Sequence, residues 1–136
     1  MNETARFLGP PAGWIAARLT LRDVHGLWGG QTLDLQGTGL GWASVVDAAG
    51  HEQRFPLVLG SARAAALFEL LITHDFLALT FPARPGVPDE ARPVVSVTNP
   101  AGENRAIAKW ANDRSPAFEV IYRALLALVR EAAGRG

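Results

Sequence analysis

Apolar and polar side chains alternate over residues 15–24, where Leu19, Leu21 and Val24 are set against Arg18, Thr20 and Arg22. A period of two marks a strand with one buried face. The alternation resumes over residues 31–36, with Leu33 and Leu35 against Thr32, Asp34 and Gln36. Two further strand-like runs, residues 42–46 and 52–59, flank Asp47-Ala48-Ala49-Gly50; another two, 94–98 and 103–110, flank Asn99-Pro100-Ala101-Gly102. In each tetrapeptide an Asx side chain closes the turn and glycine takes the left-handed position, which is hairpin chemistry.

The period changes to a helical one in two places. Residues 62–72 follow Ser61, a natural N-cap, and Leu67, Leu70, Leu71 and His74 fall at helical spacing, with Phe68 and Ile72 widening the stripe. Ser115 and Pro116 open a second helix, in which Phe118, Ile121, Tyr122, Leu125, Leu128 and Val129 share one face. Glu119 and Arg123 are spaced to pair on its surface, and Gly134 is placed to end it.

The order ββββαββα predicts an α+β fold: a predominantly antiparallel sheet of about six strands with two helices packed on one face. Residues 1–14, with Gly9-Pro10-Pro11 and no apolar periodicity, read as an N-terminal arm whose Phe7, Leu8 and Trp14 dock locally. Residues 15–136 read as one domain. Pro82, Pro85, Pro88 and Pro93 impose an irregular loop between the first helix and the fifth strand.

Composition fits this picture. Of the 136 residues, 49% are apolar and 19% charged, as in ordinary globular domains. Thirteen basic residues balance thirteen acidic ones, so no overall field favours nucleic acid or an anionic membrane. There is no cysteine, hence no disulfide or thiolate chemistry. No run approaches the ~20 apolar residues of a membrane span, and the first residues lack the pattern of a signal peptide. The expected location is the cytoplasm.

No spacing of catalytic groups stands out, and no catalytic residue, cofactor site or metal site is assigned. Gly37-x-Gly39-x-Gly41 leads into a strand rather than a helix, which excludes a dinucleotide fingerprint. His25, His51 and His74 are not spaced for zinc on one element, and no serine sits in a nucleophile elbow. The four tryptophans are the larger signal. Trp14, Trp42 and Trp110 lie in or near strands, where they serve the core or a sheet face. Trp28 lies among Gly26, Gly29 and Gly30, where no regular element obliges it to be buried, and is a candidate partner anchor. The proline loop is the second candidate surface, presenting Arg84, Asp89, Glu90 and Arg92 on a preorganised backbone.

The glycine-rich first loop at residues 26–30, the helix ending in Asp75-Phe76-Leu77-x-Leu79, the Val87-Pro88-Asp89 loop, the short glycine-turned hairpin and the terminal helix resemble small bacterial domains of the emfourin type. The resemblance spans most of residues 17–130. It implies a non-enzymatic protein that docks on a thermolysin-like peptidase. The expectation is therefore a non-catalytic interaction module, a subunit, inhibitor or regulator, with a protein partner and compatible with homo-oligomers. The competing expectation is a small-molecule-binding protein or enzyme with a pocket between sheet and helices.

Overall fold

The structure, a computed structural model, describes residues 1–135. Its strands are β1 (Arg18–His25), β2 (Gly29–Gln36), β3 (Leu40–Val46), β4 (Glu52–Val58), β5 (Val94–Thr98) and β6 (Asn104–Ala108). They form one antiparallel sheet in the order β4-β3-β2-β1-β5-β6. The helices are α1 (Glu3–Leu8), α2 (Ser61–Thr73) and α3 (Pro116–Arg135). The fold is thus the α+β arrangement that the periodicities predict.

Register places one row of apolar residues under the helices. Leu19 faces Leu35 and Val97 across the ladder, and Leu21 faces Leu33 and Val95. α3 crosses β2, β3 and β4 and buries Phe118, Ile121, Leu125, Leu128 and Val129 against this face. Each such side chain contributes about 1.5–3 kcal/mol on leaving water. The other face of the sheet is open. It carries hydroxyl pairs, Thr20 with Ser96 at 2.7 Å and Thr32 with Ser44 at 2.5 Å. Trp42 is half exposed there, with the Arg54 guanidinium 5.1 Å from its ring centroid.

Both hairpin turns form as expected. Asp47 Oδ1 accepts the amides of Ala49 and His51, each at 2.9 Å, and Asn99 Oδ1 accepts that of Glu103 at 2.9 Å. Gly50 and Gly102 take φ of 88° and 89°, a region that costs other residues a steric penalty.

Four expectations need correction. Residues 1–14 are more than an arm: they form α1 and most of a 3-10 turn (Pro11–Ala16), and Leu8 and Trp14 belong to the main core. The cause is a distant contact, since Asp75 Oδ1 accepts both the Thr4 amide at 3.0 Å and its hydroxyl at 2.9 Å. Ser61 is the first residue of α2 and Gly60 its cap, and the stripe that α2 buries is Ala64, Phe68 and Leu71. Glu119 engages Lys109 at 3.2 Å rather than Arg123. Finally, α3 continues through Gly134 to Arg135. Among the described residues no helix is long and apolar enough to cross a membrane.

Candidate functional site

Antiparallel order brings four connections to one end of the sheet: the turn between β1 and β2, the turn between β3 and β4, the proline loop before β5, and the segment linking β6 to α3. The two surfaces singled out in the sequence therefore share an end of the molecule. The side chain of His25 joins them. His25 Nδ1 accepts the Leu27 amide at 3.0 Å, which places the ring proton on Nε2, and Nε2 donates to the Pro88 carbonyl at 3.2 Å. The β1–β2 turn is thereby fastened to the proline loop. From this joined structure Leu27, Trp28 and Val87 project into solvent, exposed by 56%, 65% and 50%.

The charged residues of the proline loop divide into two sets. Asp89 and Arg92 are exposed, as expected of a presenting surface. Arg84 and Glu90 instead turn toward the protein. The Arg84 guanidinium forms a two-pronged pair with Glu90, at 3.0 and 2.7 Å, while its Nε donates to Asp113 at 3.0 Å. Glu90, whose side chain is only 1% exposed, also accepts the amides of Val87 at 3.2 Å and Asn112 at 2.8 Å. Prolines deny the loop a ladder of its own, so a buried carboxylate ties its backbone instead. The bonds from Arg84, helped by the Asn112 and Val87 amides, hold the Glu90 carboxyl down at about 2 against the cost of its burial.

Trp110 completes the fastening. Its Nε1 donates to the Arg84 carbonyl at 3.0 Å, and the guanidinium groups of Arg84 and Arg92 lie 5.7 and 5.1 Å from its ring centroid. Gly86 packs so close to the indole that a Cβ there would overlap it. Next to Trp110, the Lys109 side chain is 1% exposed, and its ammonium donates to the carbonyls of Trp110, Ala111 and Asp113 at 3.0, 3.3 and 2.5 Å. Lys109, Trp110, Asn112 and Asp113 were not singled out in the sequence as parts of this site. The available signal was Lys109 itself, the only lysine of the chain.

Behind the β1–β2 turn, buried Asp23 accepts hydrogen bonds from the Tyr122 hydroxyl and the Gln31 amide. Burial, reinforced by the bond to Asp23, pushes the Tyr122 phenol well above its ordinary range. The imidazole of His51 pairs with Asp47 at 3.2 Å on the exposed hairpin tip, and His74 ends α2. Among the described residues no three His, Asp or Glu side chains are placed to hold a metal ion.

Side chains of the main core fill the layer between sheet and helices. Clefts lie at the surface. One of about 570 Å³ is lined by residues 111–116 with Glu119, Val120 and Arg123, and one of about 340 Å³ runs between α2 and α3. Neither a family model nor a curated protein matches the chain.

Proposed function

We propose that this protein is a non-catalytic interaction module that contacts a protein partner through the β1–β2 turn, with Trp28 as the central contact and the proline loop as its brace. The observation that carries this reading is Trp28, 65% exposed on a turn that His25 holds in place. An indole left in water forgoes a large apolar burial, which a partner pocket restores on docking. Exposed Leu27 and Val87 widen the apolar centre, and exposed Asp89 and Arg92 belong to the braced loop. The Arg84–Glu90 pair acts inside that loop, holding its backbone, rather than on the partner. The resemblance to emfourin-type domains makes a metallopeptidase the first partner class to try.

The test is affinity capture from cells of the source organism with the wild-type protein and with Trp28→Ala. A protein enriched by the wild type and lost from the variant, with the variant equally folded, supports the module. Equal recoveries refute the role of Trp28.

A further inference from the structure

The sheet has two edges, and they are built differently. In the β3–β4 ladder the bonds from Asp47 N to His51 O and from Leu59 N to Gly39 O fix which positions face inward. By the alternation of an antiparallel ladder, Glu52, Arg54, Pro56 and Val58 then point their backbone outward. Two of these are charged and Pro56 has no N–H, so the β4 edge is blunted against strand pairing. In the β5–β6 ladder the bonds from Asn99 N to Glu103 O and from Lys109 N to Pro93 O leave Asn104, Ala106 and Ala108 facing outward. These three are uncharged and keep every N–H and C=O. Among the described residues the backbone groups of Ala106 and Ala108 have no partner.

A cleft of about 260 Å³ runs beside this open edge, lined by Leu79 and Phe81 on the connecting segment, by Ala106 and Ala108, and by Arg92. Arg84 nearby is saturated by Glu90 and Asp113, whereas Arg92 has no ion pair among the described residues and only stacks on Trp110.

We propose that the β6 edge accepts an extended segment of a partner protein as a seventh strand, paired to the backbone of Ala106 and Ala108. Unpaired backbone donors and acceptors in register are satisfied by another extended backbone, and alternate side chains of that strand enter the cleft beside Leu79 and Phe81. The charge of Arg92 selects a segment with an Asp or Glu at that end. A lone strand is favoured over a second copy of this chain, because the wall formed by Leu79 and Phe81 leaves a trough, and a sheet edge with its own wall does not enter a trough. This surface goes beyond the Trp28 contact and does not depend on it.

The experiment uses a phage-displayed library of random dodecapeptides panned on the full chain, with selected peptides synthesised and titrated. Expected are peptides with alternating apolar residues and one acid that slow exchange of the Ala106 and Ala108 amides. Their affinity should fall about tenfold in Ala106→Pro, which removes one outward N–H without touching the β5 ladder, and severalfold in Arg92→Ala. Ala106→Lys, which leaves the backbone intact and charges the edge, gives a second reading should the proline variant misfold. Trp28→Ala should bind these peptides as the wild type does, so loss of one surface is distinguishable from loss of the other. No enrichment, or peptides that bind the edge variants equally well, overturns the proposal. A concentration-dependent dimer abolished by Ala106→Lys would overturn the lone strand in favour of a second copy.

Discussion

The ring Nε2 of His25 donates to the carbonyl oxygen of Pro88 at 3.2 Å, linking a strand end to a loop 63 positions further along the chain. That bond turns two separate loops into one surface. His25→Ala is expected to speed amide exchange in residues 26–30 and 87–89 by roughly fivefold to tenfold while leaving the sheet unchanged. Exchange mass spectrometry checks this, and unchanged rates in the proline loop would mean that the histidine is no brace.

Glu90 makes stability depend on acid. Its carboxyl is held at about 2 in the fold against an ordinary 4.5, so its contribution is complete above the ordinary value and is lost as pH falls from there toward 2. Thermal unfolding of wild type and Glu90→Gln between pH 7 and 2 should show the variant less stable at neutral pH, with the gap closing over that acid interval. A gap that stays constant would mean that the ion pair carries no stability.

Lys109 is buried with its ammonium on three carbonyls and on Glu119. Lys109→Met keeps an unbranched apolar stem one atom shorter and strands those acceptors, which should cost roughly 2–4 kcal/mol. Denaturant titration reads this loss. Arg114→Met, at an exposed position in the same segment, is the control and should stay within about 0.5 kcal/mol of wild type.

Gly86→Ala forces a methyl group into the Trp110 ring. The indole must move, taking its bond to the Arg84 carbonyl with it, at a cost of about 1–3 kcal/mol. Tryptophan emission shifted to the red, together with a lower Tm, is the expected outcome.

How much of this was legible depends on the distance over which each feature is decided. The hairpins at Asp47 and Asn99 were, because an Asx side chain and a glycine three residues later settle the turn locally. The same holds for α3, where Ser115 caps and bonds the Phe118 amide at 3.2 Å. Ser61 misled because local chemistry offered two adjacent starts, and the backbone of Gly60 took the cap. The first residues were opaque for a different reason. α1 is too short to show a period, and its anchor is Asp75, 71 positions from Thr4.

The candidate site divides in the same way. That no strand or helix pattern claims Trp28 was readable from its glycine neighbours; that its indole stands in solvent, instead of folding back over the sheet, was decided by the turn as built. The inward turn of Arg84 and Glu90 was not, because no periodicity governs which residues of a proline-rich loop meet. Nor does any local rule tell that Asn112 and Asp113, more than 20 positions away, complete their hydrogen bonds.

The reading as an interaction module stands or falls on what touches residue 28. A photo-reactive benzophenone side chain in place of Trp28, and separately in place of Ala48, also exposed, on the neighbouring hairpin, is irradiated in cells of the source organism. A discrete cross-linked protein from position 28 and none from position 48 is the predicted result. The same products from both positions, or none from either, would contradict it.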